Sequence, residues 1–304
     1  MVVMRSVRTL LALAGAAILL AACSFTRLAY MNTSFAYDNA TPMLAWMAGD
    51  YVDMSGGQKD WVRERLQRAM AWHRAQELPE YRRFLEKVLA RAEDGTISAD
   101  DARFVHRSVR AYYHRALDYL APDIADLLLQ LDEEQVAQLE AKFDKDNKKF
   151  VKESIKGSPD ERRRRDAKKY LEHLEEWVGD LTEEQRELVY NRVAALGEFP
   201  EDQLADRRYR QMGIVAIAKT RPPRDKAVDE VRRLLVRTDS WRRPEYIEKV
   251  RQRDERLFQL VADLGATLSA EQRAALQNRI RRFMNDCSEL SAAASRERAS
   301  ATGS

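Results

Sequence analysis

The sequence has 304 residues, a third of them charged, with a formal net charge of +3 and only two cysteines. Without the first 22 residues, the basic and acidic side chains number 50 and 49, so the charge balance favours no nucleic-acid partner. Two cysteines exclude a disulfide-dense scaffold. The remaining length of about 280 residues is enough to bury a large core.

Residues 1–22 have the pattern of a bacterial signal peptide. Arg5 and Arg8 make a basic start, and an apolar run follows over residues 10–20. That run is shorter than the roughly 20 apolar residues that a membrane-spanning helix needs. We therefore expect this segment to be processed and exclude it from the fold.

The end of the leader, Leu-Ala-Ala-Cys at residues 20–23, resembles a lipobox. The resemblance implies a lipoprotein in which Cys23 carries the lipid, including a palmitoyl chain. The protein would bind the membrane through this lipid anchor. In such lipoproteins, an Asp after the cysteine tends to retain the protein at the inner membrane. This sequence has Ser24 there, so it resembles an outer-membrane lipoprotein that faces the periplasm. A plain secretory signal that contains a cysteine is the alternative. With Cys23 lipidated, Cys287 has no cysteine left for an intrachain disulfide.

Apolar residues recur at helical spacing along the rest of the chain, and no alternating run of β-branched residues competes with them. Stripes of this kind, backed by charged residues, are typical of amphipathic helices that bury one face. Pro79 predicts the end of a helix or a kink. Residues 121–123 (Ala-Pro-Asp) predict a turn, and Ser158 with Glu161 predicts a capped helix start. The sequence predicts an all-α, multi-helix bundle.

One short phrase occurs four times: an apolar residue, a hydroxyl or carboxylate residue, two further residues, then Gln. If the second residue is the N-cap, the Gln falls at N3, where the two side chains form a capping box. The predicted N-cap and Gln pairs are Ser55 and Gln58, Asp132 and Gln135, Thr182 and Gln185, and Ser269 and Gln272. The first copy contains Gly56 and Gly57, which predict a poor helix start.

Two of these boxes lie in a longer internal match. Residues 124–139 and 261–276 align without gaps at an offset of 137, with 8 of 16 positions identical. The four glutamines are separated by 77, 50 and 87 residues, which suggests two related halves, each bracketed by two boxes. We therefore predict an internal pseudo-duplication. The predicted domains are a lipidated tether (23–40), an N-terminal helical half (41–157), a C-terminal helical half (158–290) and a disordered tail (291–304).

The box at residues 181–185 matches the Leu-Thr-x-x-Gln motif of the Spy/CpxP periplasmic chaperones, which the chain thus weakly resembles. Residues 37–39 (Tyr-Asp-Asn), Trp46 and residues 50–53 (Asp-Tyr-Val-Asp) look like a proteobacterial lipoprotein family known only as a domain of unknown function, and the resemblance covers nearly the whole chain after the leader. The family-motif positions, of unknown role, include Trp72, His73, Glu77, Pro79 and Tyr81. That resemblance implies a lipidated, all-helical envelope protein and supplies no activity.

Catalytic motifs are scarce in this sequence. His73 and Glu77, at i and i+4, could share a metal, but two ligands are too few, and a packed histidine beside Leu66 and Met70 is the favoured interpretation. We find no nucleophile elbow, HExxH or phosphate loop. We expect no enzyme activity, no catalytic residue, no metal and no cofactor. Residues 142–169, with 12 basic and 6 acidic side chains, favour a solvated helical hairpin over a contact with an anionic surface.

These observations predict an outer-membrane-anchored periplasmic helical binding protein without catalysis. Its partners would be apolar segments of envelope proteins, held as clients in a chaperone-like or stress-protective manner. The alternative is a scaffold or adaptor lipoprotein that binds one envelope complex stoichiometrically.

Overall fold

The computed structural model describes residue 37 and residues 39–302, with side chains through residue 293. All regular secondary structure in this part of the chain is helical, which confirms the all-α class. Cys23 and the leader lie outside the described residues. Over the described range, no helix is long and apolar enough to cross a membrane.

The helices follow one another with short connections. In chain order they are α1 (Ala40–Gly49), α2 (Gly56–Trp72), α3 (Leu78–Glu93), α4 (Ala99–Gln130), α5 (Glu133–Phe150), α6 (Pro159–Val178), α7 (Glu183–Ala194), α8 (Pro200–Thr220), α9 (Arg224–Leu235), α10 (Pro244–Thr267) and α11 (Ala270–Thr302). Two π-helical turns, His73–Glu77 and Val151–Ile155, and a 3-10 turn, Thr238–Ser240, lie between them.

Two compact units make up the chain, and each is assembled from three separated stretches. Among the described residues, unit 1 comprises residue 37 and residues 39–72, 111–155 and 200–243, and unit 2 comprises residues 73–110, 156–199 and 244–302. The units are interleaved because α4 and the α2–α3 segment each contribute residues to both. The contiguous halves predicted above, residues 41–157 and 158–290, were inferred from the internal repeat of the sequence. That division stays a prediction.

Unit 1 has its core among helices α2, α4, α5, α8 and α9. Helix α1 packs on α2, and α8 packs on both α5 and α9. Large aliphatic side chains fill this interior, including Leu66, Leu117, Leu128, Leu139, Ile214 and Leu234. At about 1.5–3 kcal/mol for each fully buried side chain, this burial is the main driving force for the unit.

Unit 2 places α7 against both α6 and α10, while α11 packs on α3 and α6. Its aliphatic core includes Val189, Leu260 and Leu264, with Trp177 packed against it. Cys287 is buried in α11, and burial raises the pKa of its thiol to about 12. The thiol is therefore protonated and unreactive at neutral pH.

Helix α4 continues through Pro122, so the turn predicted at residues 121–123 is wrong. Leu120, Ile124 and Leu128 are all buried on the same helix. A proline inside a helix costs roughly 3 kcal/mol, and the burial of several large side chains offsets that cost.

The interruption near Pro79 takes the form of a π-helical turn. Five residues, His73–Glu77, widen the helix immediately before α3, whose second residue is Pro79. Helix α11 also differs from expectation, because it continues to Thr302 instead of ending near residue 290. Its last turns are rich in alanine, the strongest helix former. The disorder of the tail stays a prediction.

Candidate functional site

Each of the four boxes starts a helix with the same local geometry. The N-cap side chain accepts a hydrogen bond from the Gln backbone N–H at 2.8–3.3 Å, and the N-cap N–H donates to the Gln Oε1 at 2.9–3.1 Å. The apolar residue before each N-cap is buried in all four copies: Met54, Leu131, Leu181 and Leu268. Gly56 and Gly57 do not prevent the first helix from starting in this way.

In unit 2 the third and fourth boxes are bonded to each other through their glutamines. Gln185 and Gln272 exchange Nε2–H to Oε1 hydrogen bonds, each 2.9 Å long. The second Nε2 hydrogen of Gln185 goes to the Thr267 carbonyl at 3.0 Å, and that of Gln272 to the Asp180 carbonyl at 2.8 Å. Each carbonyl belongs to the residue two positions before the partner box's N-cap. We call this arrangement a crossed glutamine pair.

Unit 1 contains the same arrangement between the first and second boxes. Gln58 donates to Gln135 at 3.1 Å, and Gln135 donates back at 2.7 Å. Gln135 also donates to the Asp53 carbonyl at 2.8 Å, and Gln58 donates to the Gln130 carbonyl at 3.3 Å. The carbonyls again precede the N-caps by two residues, so the geometry repeats as a pseudo-duplication predicts.

The crossed pairs explain why the box needs Gln at N3. A glutamine amide has two N–H donors and an oxygen that accepts two hydrogen bonds, and all four are used here. Glutamate at the same position could close its own capping box. It has no N–H to donate, however, so it could not bond the partner's carbonyl or the partner's amide oxygen.

A pocket of about 700 Å³ adjoins the crossed pair of unit 2. Its apolar lining comes from Val178, Leu188 and Ala275. The remaining lining includes Gly179, Asp180, Thr182, Glu184, Gln185, Thr267, Ser269, Glu271 and Gln272. Cavities of this size can hold one or two amino-acid side chains or a small ligand.

The rim of this pocket is negative. A hydrogen bond from its own backbone N–H, and then the Thr182 hydroxyl, lower the pKa of Glu184. The Ser269 hydroxyl, which donates at 2.8 Å, and then a backbone N–H lower the pKa of Glu271. In the described structure neither Lys nor Arg lines the pocket. An apolar floor with ionised carboxylates at its edge suits an apolar side chain beside a lysine or arginine.

The family-motif positions cluster around the first π-helical turn but fall in two units. Trp72, in unit 1, stacks on Tyr119 with ring centroids 4.0 Å apart. In unit 2, His73 and Glu77 are almost fully buried, and the His73 ring meets the edge of Tyr81 at 5.3 Å. Burial, and then the charge of Arg74, lower the pKa of His73 to about 3. The imidazole is therefore neutral at physiological pH.

This cluster does not reach the composition of a metal site. In the part of the chain that the structure describes, no group of three or more His, Cys, Asp and Glu side chains is placed to hold a metal ion. The buried histidine instead packs against an aromatic ring, and Ser291 of α11 donates to the Arg74 carbonyl at 3.3 Å. The π-helical turn thus contributes to the packing of unit 2.

A buried polar group on α8 gave no signal in the sequence. Arg207 donates to Asn147 at 2.6 Å, and Asn147 donates to Gln211 at 2.7 Å, all within unit 1. Burial lowers the pKa of Arg207 to about 10, with the nearby Asp146 carboxylate opposing the shift. Arg207 therefore stays charged in the interior. A charged face on an amphipathic helix usually predicts solvent exposure, which is why the sequence did not reveal this network.

Several cations of segment 142–169 have acidic partners within their own unit. Lys142 lies 2.5 Å from Asp50 in unit 1, and Arg162 lies 2.6 Å from Glu198 in unit 2. Arg163 and Lys169 pair with acids three residues away. These pairs supply the acidic partners that the solvated interpretation of the segment expects, and a contact with an anionic surface stays a prediction.

The structure brings the eight box residues together in two groups and leaves the family-motif residues at a separate place. The pocket beside the second group also uses Asp180 and Ala275, which the sequence did not single out. Their only signal was proximity to a box, since each lies within three residues of one.

These features describe an all-α protein in which helix starts are joined by crossed glutamine pairs. The chain belongs to the family of unknown function DUF6279, whose family model matches residues 50–247. The matched range includes the crossed pair of unit 1 and ends before Gln272. No curated protein and no solved structure matched the chain significantly.

Proposed function

We propose that this protein is a lipid-anchored, non-catalytic binding protein of the bacterial outer membrane that faces the periplasm. The lipobox at Cys23 supports the anchor and the signal peptide, and the Leu-Thr-x-x-Gln box supports a chaperone-like role of the Spy/CpxP type. The observation that carries the binding role is the pocket beside Gln185 and Gln272, with its apolar floor and negative rim. Its ligands are exposed apolar segments of envelope proteins with a neighbouring Lys or Arg.

The pocket suits transient binding of a chain segment. Burying apolar surface contributes roughly 25 cal/mol per Å², so one aliphatic side chain in the pocket gives weak, reversible attachment. The crossed pair bonds the two helix starts that flank the pocket, which preserves its shape between binding events. A preorganised site of this kind loses little conformational entropy on binding.

The test measures how far the Cys23→Ser form of residues 23–304 slows aggregation of a reduced client protein at equimolar ratio. Ala275→Phe, which places a ring in the pocket, is expected to lose that activity. Ala274→Phe, at the neighbouring exposed position, is the matched control and is expected to keep it. Equal activity in the two variants, or no activity of the parent on several clients, would overturn the proposal.

A second candidate function is a stoichiometric scaffold or adaptor, and an exposed patch of unit 1 favours it. Tyr209 stacks on Trp241 at 4.7 Å, and Met212, one helical turn further along α8, is 67% exposed. Arg233 lies over the Tyr209 ring at 5.8 Å. Tyr, Trp, Met and Arg are enriched at protein interfaces. A single dominant partner lost on Met212→Asp would support the adaptor, whereas a broad client set supports the chaperone.

A further inference from the structure

Helix α1 (Ala40–Gly49) has an unusual composition for this chain. Its sequence, ATPMLAWMAG, contains no charged residue, although a third of the whole sequence is charged. A solvated face on a helix of this protein normally carries Arg, Lys, Glu or Asp. The face of α1 that the core does not cover therefore lacks the charged residues expected of a solvated helix face.

One face of α1 is buried and the opposite face is open. Ala40, Leu44 and Ala48 are each 1% exposed, in contact with the rest of unit 1. At the helical angle of 100° per residue, Trp46 falls on the side away from this stripe, and it is 74% exposed. Pro42 is also exposed. The open face is thus apolar and carries an exposed indole.

The chain places this face within reach of a membrane. Thirteen residues, 24–36, separate Cys23 from the first described residue, and a fully extended chain of that length spans at most about 45 Å. A lipid on Cys23 therefore keeps α1 close to the bilayer surface. Tryptophan prefers the headgroup region, where its ring contacts the acyl boundary and its N–H bonds to water or headgroups.

We propose that α1 lies in the headgroup region of the membrane that carries the anchor, with Trp46 as the inserted side chain. The apolar face then has a matching environment, and the lack of charge avoids the cost of placing ions there. This inference rests on the Cys23 anchor proposed above and is independent of client binding. It gives the protein a second membrane contact beside the lipid anchor.

The test uses the full-length lipidated protein in phosphatidylethanolamine and phosphatidylglycerol vesicles, with or without brominated acyl chains. Brominated lipid is expected to quench part of the tryptophan emission of the natural protein. The Trp46→Phe variant is expected to lose most of this quenching. The Trp241→Phe variant, which removes a half-buried tryptophan of the same unit, is expected to keep it. Vesicle flotation of each variant reports the anchor separately.

The outcomes are distinct. Protein that floats with the vesicles and shows the same quenching before and after Trp46→Phe overturns the inference while the anchor stands. Protein that does not float overturns the anchor and this inference together. Client protection in the soluble Cys23→Ser form is unaffected by either result.

Discussion

Gln185 and Gln272 exchange two amide hydrogen bonds of 2.9 Å across 87 residues of sequence. Each glutamine also closes the capping box of its own helix. One side chain therefore serves its own helix start and that of the partner helix. Truncating either removes hydrogen bonds from both helix starts at once.

We expect Gln272→Ala to destabilise the protein more than loss of an ordinary helix cap. A cap is worth about 1 kcal/mol, and leaving buried donors unsatisfied adds about 1–3 kcal/mol, so the expected loss is about 2–4 kcal/mol. Urea unfolding measures the change. Gln259→Ala, at an exposed position of α10 whose amide bonds Asp263, is the matched control and should change stability little.

A double-mutant cycle on Gln185→Ala and Gln272→Ala isolates the pairing itself. Because the two amides bond each other directly, the cost of the double variant should fall short of the sum by about 1 kcal/mol. Strict additivity would show that each glutamine acts only within its own capping box.

Two glycines are expected to respond to alanine in opposite directions. At Gly57, inside the first turn of α2, a Cβ would meet nothing within 4 Å. Gly57→Ala should therefore raise the free energy of unfolding by about 0.5–1 kcal/mol. At Gly213 of α8, a Cβ would lie 2.7 Å from the Leu234 methyl groups, so Gly213→Ala should lower it. Thermal unfolding of the two variants measures both changes. Destabilisation by Gly57→Ala would show that the first box needs the backbone flexibility of glycine at the start of α2.

His73 should make unit 2 sensitive to acid. Its folded pKa is about 3, below the ordinary 6.5, because burial and the neighbouring Arg74 disfavour the imidazolium. The unfolded chain therefore takes up the proton first as pH falls. The contribution of His73 to the free energy of unfolding is complete above pH 6.5. It is lost as the pH falls from 6.5 towards the folded pKa of about 3, at up to about 1.4 kcal/mol per pH unit.

The measurement compares the pH dependence of the free energy of unfolding for the natural protein and His73→Gln. The variant should show a shallower decline on acidification, whatever its absolute stability. His173→Gln, on the partly exposed face of α6, serves as control. An unchanged slope in His73→Gln would show that the imidazole is accessible to protons in the folded state.

The pocket rim should select cationic clients. Glu184→Gln combined with Glu271→Gln is expected to weaken binding of a Leu-Arg peptide more than that of a Leu-Gln peptide, as fluorescence anisotropy can measure. The natural protein should also lose its preference as salt screens the exposed carboxylates. Equal weakening of both peptides would assign the rim a structural role only.

The sequence predicted the helical class and the four box positions because both depend on local patterns. Helical periodicity and an N-cap followed by Gln at N3 are read directly from neighbouring residues. The separations of 77 and 87 residues also suggested which boxes belong together. The bonds between them are tertiary, and a capping box alone does not distinguish a Gln that only caps from one that also bonds a second helix.

Other features depended on burial, which local chemistry does not reveal. Pro122 carries a turn signal, but the buried leucines around it maintain α4 as one helix. Arg207 looks like a solvated cation and is 2% exposed. The pocket beside Gln272 forms from two segments about 90 residues apart, so no single stretch indicated it.

The most direct test of the binding role is photo-crosslinking in living cells with p-benzoylphenylalanine at position 275, inside the pocket. The same probe at position 274, on the exposed neighbour, provides the comparison. We predict adducts with several envelope proteins at 275 through apolar segments next to Lys or Arg, and few at 274. No adducts at 275, or the same adducts at both positions, would contradict the proposed binding pocket.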